Sequence, residues 1–396
     1  MTASRRSFLH LAGLGGLAAA LERADARAWA RQPARPLAAA PIRLSSNENS
    51  YGPGEKVVAV IRGELARVNR YPFATARQLS TALADSLAVP ASHLALGCGS
   101  SQILDAAVMA FTTPSRGLVT AVPTFELPAE RARQLRHPLI EVPVDDELAL
   151  DLARMAEQAT DAGLVYLCNP NNPTGTVHGI KAVESLIAGV RHRSPDAVVL
   201  VDEAYHEYVD RRDYASAIGL ALEDPQVVVS RTFSKIYGMA GLRVGYAVGR
   251  PESLERLRPL LGDLTISHLS GASALAALGD PARVAEQKRL TRENRRFTAD
   301  VFQEAGCRLA PSEANFVMVD VGRDIRQFQR ACRARGIEIA RPFPPLTTWA
   351  RITIGTADEM GHAARVFREA LAEPVPPAVR LPPLPVVGPG DVGWSC

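Results

Sequence analysis

The chain has 396 residues, 47% hydrophobic and 22% charged, with a formal net charge of +3 at pH 7. That composition belongs to a globular protein with a large core. Two of the three charges fall in residues 1–30, so the remainder has no basic excess to recruit nucleic acid or an anionic membrane. Cys98, Cys168, Cys307, Cys332 and Cys396 are odd in number and lack CxxC spacing, which argues against a disulfide framework or a zinc site and leaves them as buried small hydrophobes.

In chain order, the first segment reads SRRSFLHLAGLGGLAAALE at 4–22. Arg5 and Arg6, an apolar run from Phe8 to Leu21, and Ala28 and Ala30 around Trp29 have the layout of a cleavable export signal. The run falls short of the roughly 20 apolar residues that a bilayer span needs, so no permanent membrane anchor is expected. A small amphipathic surface helix over Phe8 to Leu21, with Arg5 and Arg6 as ordinary solvated charges, is the competing structural reading. Residues Ser4 to Leu9 resemble the twin-arginine signals of bacteria. The resemblance implies a signal peptide over 1–30, the twin-arginine translocation machinery as a partner, and a periplasmic or exported protein that crosses already folded around a cofactor.

From residue 94 the text alternates. LALG (94–97), GLVTAV (117–122), LVYLCN (164–169), AVVLVDE (197–203), VVVSRTF (227–233) and RVGYAVG (243–249) read as buried strands, with helical spacing between them in segments such as SSQILDAAVMAF and IKAVESLIAGVRH. Continuous apolar strands separated by helices predict an α/β domain with a largely parallel sheet covered on both faces. After 249 helical text dominates to 304; NFVMVDV (315–321), GIEIA (336–340), ARITIG (350–355) and a helix over 357–372 then predict a smaller α+β domain. The expected division is a leader (1–30), an N-terminal arm (31–70), a large domain (71–291), a small domain (292–373) and a Pro-rich extended tail (374–396).

In parallel α/β sheets ligands bind at the carboxyl ends of the strands. LVYLC runs into Asn169-Pro170-Asn171-Asn172-Pro173-Thr174-Gly175, AVVLV into Asp202-Glu203-Ala204-Tyr205, and VVVSRTF into Ser234-Lys235. Taken singly these are turn formers, a helix cap and a snorkelling lysine. Three successive strands ending in amide, carboxylate and amine make coincidence the poorer explanation. Gly97-Cys98-Gly99-Ser100-Ser101 lies between a strand and a helix, where backbone N–H groups hold a phosphate. It lacks the third glycine of a dinucleotide fingerprint, which disfavours a nicotinamide dehydrogenase.

Here the chain resembles the fold-type I pyridoxal-phosphate aminotransferases of class I/II, in the histidinol-phosphate aminotransferase branch. SSNENSYGPG, RYPFATARQLSTALA, LGCGSSQIL, PTFELP, NPNNPTG, VDEAYHEY, SRTFSKIYGMAGLRVGY, EANFVMVD and ARITIGT occur in family order from about Leu44 to Leu371. The resemblance implies an aspartate aminotransferase-like fold with a mainly parallel seven-stranded sheet and a smaller α+β C-terminal domain. Its cofactor is pyridoxal 5'-phosphate, and its activity is transfer of an amino group between an amino acid or amino-alcohol phosphate and a 2-oxo acid such as 2-oxoglutarate.

It also implies residue roles. Lys235 carries the cofactor covalently and moves the α-proton; Asp202 keeps the pyridine nitrogen protonated; Asn172 and Tyr205 donate to the ring oxygen; and Phe125 stacks on the ring. Gly99, Ser100, Ser101, Thr232, Ser234 and Arg243 form the phosphate set. Tyr71 reaches the phosphate of the neighbouring subunit, so a homodimer is implied. Tyr51 and Arg351 join Asn172 on the substrate side, Arg351 clamping a carboxylate, with Asn315 as a neighbour. No metal is implied. Where enteric members have a second arginine on the helix after Arg351 the gapless equivalent is His362, and RPFPPLTTW replaces a Gly-rich loop. Decarboxylation or other lyase or racemase chemistry on the same cofactor, and a non-catalytic cofactor-binding protein, stay open as alternatives.

Overall fold

A computed structural model describes residues 40–374. The twin-arginine leader (1–30), residues 31–39 of the arm and residues 375–396 of the tail lie outside the described residues. The described strands are β1 (Ile42–Leu44), β2 (Leu94–Gly97), β3 (Gly117–Val122), β4 (Leu139–Pro143), β5 (Ala162–Cys168), β6 (Val198–Asp202), β7 (Val227–Thr232), β8 (Gly245–Gly249), β9 (Arg308–Leu309), β10 (Phe316–Asp320), β11 (Ile337–Ile339) and β12 (Trp349–Thr353).

Seven of them form one sheet in the order β2-β8-β7-β6-β5-β3-β4. From β7 to β4 every pairing is parallel, while β8 runs antiparallel to both β7 and β2. Side chains alternate across a strand, so each apolar run feeds two cores. Val165, Leu167, Val199, Val201, Val227 and Val229 enter one, with Leu79 and Leu83 of helix Phe73–Leu87 and Val183 and Leu186 of helix Ile180–Arg193. Leu164, Tyr166, Val198, Leu200 and Val228 enter the other, with Ile103 and Val108 of helix Gly99–Phe111 and Leu254 and Leu257 of helix Pro251–Leu261. Burial on both faces is why these strands read as continuous apolar text.

A third core belongs to the small sheets. β1 pairs parallel with β11, and β12-β10-β9 form an antiparallel sheet. Phe302, Phe328 and Phe367 meet beneath them, with ring centroids 5.1 Å apart for Phe302 and Phe367. Helix Ala357–Ala372 is started by a capping box, in which the Thr356 hydroxyl accepts from the Glu359 N–H and the Glu359 carboxylate accepts from the Thr356 N–H. Residue 292, where the small domain was expected to begin, lies within helix Pro281–Glu304, which runs unbroken through it.

Two expectations need correction. The strand β4 was not read from the sequence; it lies at the sheet edge, with Val142 buried, Leu139 and Ile140 half-exposed and Glu141 and Pro143 exposed, so the apolar run is interrupted. Of the described cysteines only Cys168 and Cys332 are buried; Cys98 is exposed and Cys307 half-exposed, because residue 98 sits in the turn ahead of helix Gly99–Phe111.

Candidate active site

The topology brings chemistry to one edge of the large sheet. The strands β5, β6 and β7 end there, and because β8 is reversed it begins there, so Arg243 lies beside the residues that follow β7. Register then sets neighbours: Cys168, Asp202 and Ser230 are paired across β5, β6 and β7. A cavity of ≈ 290 Å³ opens over this edge, and Ser100, Ser101, Phe125, Asn172, Asp202, Tyr205, Thr232, Ser234, Lys235, Arg243 and Arg351 all line it.

At its floor, both carboxylate oxygens of Asp202 are occupied. Oδ2 accepts from the Tyr166 hydroxyl at 3.0 Å and Oδ1 from the Ser230 hydroxyl at 2.9 Å. Burial pushes Asp202 up to about 6, against the pull of those two hydrogen bonds. Lys235 is brought down to about 8, first by burial and then by the nearby Arg351 charge. Its Nζ donates to the Asn47 carbonyl at 3.3 Å and sits 5.6 Å from the Tyr205 ring centre. Burial pushes the Tyr205 phenol well up, opposed by the Arg351 charge and by a hydrogen bond from Asn47 Nδ2 at 2.9 Å.

One end of the cavity is built for an anion. Arg243 donates to Ser234 Oγ at 3.2 Å, the Ala240 carbonyl at 3.0 Å and Ser101 Oγ at 3.4 Å, and no carboxylate pairs with it among the described residues. It holds a left-handed backbone with φ 54°, an uncommon state for a non-glycine residue and one found at functional sites. Gly99 does not line the cavity but passes under this guanidinium. A Cβ there would fall 2.2 Å from Arg243 Nη2, and its φ of +73° already favours glycine. A cation ringed by hydroxyls at a helix N-terminus fits a phosphate ester.

The opposite end holds Arg351, buried at 8% exposure and lowered to about 10 chiefly by that burial. Its Nη atoms donate to Asn172 Oδ1 and the Ser45 carbonyl, each at 2.6 Å, and its Nε has no partner. Phe343 carries both this guanidinium, at 4.8 Å, and that of Arg341, at 4.6 Å. Arg341 in turn is paired with Glu126.

Gly99, Tyr51, Tyr71 and Asn315, all singled out in the sequence, do not line the cavity, and neither does His362. The Tyr51 hydroxyl is held by Asn294 Nδ2 at 3.2 Å, on the long helix Pro281–Glu304. Tyr71 is 75% exposed and packs on Phe73, away from its own chain's cavity. His362 is exposed and touches Arg365; the second arginine at the cavity is Arg341, from the RPFPPLTTW loop itself. Asn315 Nδ2 donates to the Asn47 carbonyl at 3.0 Å, tying the arm down. Sequence reasoning missed Asn47, Glu126, Cys168, Arg341 and Phe343 as lining residues. All five lay inside segments already quoted: Asn47 in SSNENSYGPG, Glu126 in PTFELP, Cys168 in LVYLCN, and Arg341 and Phe343 in RPFPPLTTW, a loop whose path decides where they point.

A family model described as "Aminotransferase class I and II" matches residues 39–367. The chain is 37% identical over 335 residues to a histidinol-phosphate aminotransferase of Symbiobacterium thermophilum, covering 84% of this chain and 91% of that protein. It is also 37% identical over 320 residues to an aromatic amino acid aminotransferase of Mycobacteroides abscessus, covering 80% and 90%. A solved structure of histidinol-phosphate aminotransferase from Sinorhizobium meliloti in complex with pyridoxal-5'-phosphate superposes with a TM-score of 0.77 at 28% identity, covering 84% of this chain and 91% of that one.

Proposed function

From the premise that this chain belongs to the class I and II aminotransferases, and is a fold-type I, pyridoxal-phosphate-dependent transaminase, we propose that its amino donor carries a distal phosphate or carboxylate. The observation that carries this is the pair Arg341 and Arg351, two guanidiniums on the faces of one ring, Phe343, in the cavity that contains Lys235. A histidinol-phosphate-like amino-alcohol phosphate has a single acidic group, its phosphate, for this end of the cavity, and 2-oxoglutarate as acceptor has a carboxylate for each arginine.

The residues divide the work. Ser100, Ser101, Thr232, Ser234 and Arg243 would hold the cofactor phosphate, Phe125 would stack on the ring, and Asn172 and Tyr205 would donate to its oxygen. The bound cofactor supplies an electron sink for the carbon that loses its proton. Asp202, kept ionised by Tyr166 and Ser230, holds the proton on the ring nitrogen. Lys235, with a basicity tuned towards neutral pH, takes the proton from the substrate carbon at Nζ and returns it. Arg351 fixes one acidic group of the substrate, and Asn47 in the arm, which lines the cavity, shields it from water.

Two further features support the wider reading. Leu65, Val68, Tyr71 and Phe73 are large hydrophobics exposed by 54%, 58%, 75% and 56% within nine residues, a patch suited to a homodimer partner. Tyr71 would then complete the partner's phosphate site. The Arg5-Arg6 leader supports export of the folded, loaded protein through the twin-arginine route to the periplasm.

A donor screen with 2-oxoglutarate tests the substrate. Histidinol phosphate preferred over phenylalanine and lysine is the expected result; equal use of neutral donors, or release of carbon dioxide in place of an oxo product, overturns it. Fractionation of cells carrying Arg5→Lys with Arg6→Lys should show loss of periplasmic protein, and undiminished export would remove the signal.

A further inference from the structure

Glu126 caps the N-terminus of helix Leu127–Leu135, yet its side chain makes no capping hydrogen bond there. It turns instead to Arg341, 215 residues along the chain, and both residues line the cavity. An acidic side chain that forgoes the favourable end of its own helix to meet a cavity arginine calls for an explanation. The pair is half-exposed, with side chains 42% and 54% accessible, so it is a weak pair in high dielectric that a charged competitor can open. Arg351, by contrast, is buried and has no carboxylate partner among the described residues. One arginine waits for an anion, and the other already has one.

We propose that Glu126 is a specificity-determining residue: its carboxylate holds Arg341 as an internal stand-in for the distal acidic group of the substrate. This deepens the substrate reading above and rests on it. A substrate with two acidic groups takes Arg351 with one and must displace Glu126 from Arg341 with the other. A substrate with a neutral side chain leaves the ion pair closed and meets Phe343 beside it. Glu126 thus sets the balance between acidic and neutral substrates by disfavouring anions, as a repulsive element does in other selective sites. It is also what lets a single cavity alternate between an acidic 2-oxo acid and an amino compound of different charge.

The test uses the holoenzyme and two ligands that lack an amino group and are not turned over: glutarate, with a distal carboxylate, and 3-phenylpropionate, without one. Dissociation constants are measured by calorimetry. Glu126→Gln should tighten glutarate about fivefold and move 3-phenylpropionate less than about twofold, and Arg341→Met should weaken glutarate about tenfold. In the Arg341→Met background, Glu126→Gln should move glutarate less than about twofold, since its direct contact is gone and it acts on Arg351 only through space. An unchanged ratio of the two ligands in Glu126→Gln, or an equal effect of that substitution with and without Arg341, overturns the proposal. The substrate reading fails differently, through the donor screen, where acidic donors would not be preferred.

Discussion

Lys235 and Asp202 face each other across a low-dielectric floor, and each is moved toward neutrality by burial: the amine down to about 8, the carboxyl up to about 6. A lysine with its ordinary value near 10.4 is almost wholly protonated at pH 7.5, whereas this one has a substantial neutral fraction. Its nucleophilicity therefore rises as pH increases through 8 and levels off above. Carbamylation of Lys235 by cyanate in the apoprotein, followed by mass spectrometry, should titrate near that value. Since the Arg351 charge is the second cause of the depression, Arg351→Leu should move the midpoint upward; a midpoint that stays or falls would refute the electrostatic coupling. Asp202 shows the opposite arrangement, with Tyr166 and Ser230 donating to its two oxygens. Neither hydroxyl stood out in the sequence, because both lie within strands: register pairs Ser230 with Asp202, and Tyr166, paired with Leu200, reaches the carboxylate through the length of its side chain.

At the level of elements, the arm is the piece that the fold holds most deliberately. Asn49 Nδ2 donates to the Ile236 carbonyl at 2.9 Å, and Arg283 donates to the Tyr51 carbonyl at 3.3 Å and the Gly52 carbonyl at 3.4 Å. The turn after Lys235 comes so near that a Cβ on Gly238 would lie 2.4 Å from the Gly52 backbone, at a φ of +66°. Gly238→Ala should push the arm away, raise KM for both substrates several-fold, and speed proteolysis near Gly52, while cofactor uptake persists. An unchanged cleavage rate would show that the arm does not depend on this approach.

The buried strands were legible because burial on two faces leaves continuous β-branched text, and their ends came out within about two residues. The strand β4 was not legible: Leu139, Ile140 and Glu141 share an exposed edge with mixed character. The motif residues at strand ends were legible because their position follows from the sheet. Arg341 was not, since it projects from an irregular loop between β11 and β12, and counting from Arg351 along the helix leads to His362 on the surface.

For the whole molecule, the exposed stretch from Leu65 to Phe73 and the absence of Tyr71 from its own cavity would share one explanation in the proposed dimer site. Two variants test it together. Lys235→Ala and Tyr71→Ala should each be impaired alone, and co-refolded mixtures should regain turnover, because a mixed dimer contains one site with both residues. No gain on mixing would place Tyr71 outside the site. Phe73→Asp should shift sedimentation toward the monomer, since it sets a charge in the apolar patch.

The reversal of β8 also has a meaning in time. It places Arg243 opposite the ends of strands made just before it, so every group at the phosphate end, from Ser100 to Arg243, has been synthesised once the ribosome has passed residue 249. The strand β1, made much earlier, has no sheet partner until residues 337–339 of β11 appear, and Arg341 and Arg351 come later still. Domains fold as units in the order of their synthesis, so the nascent chain acquires a place for the cofactor before it acquires one for the substrate. Were the protein loaded before export, as proposed above, the two halves of its site would arrive in the useful sequence.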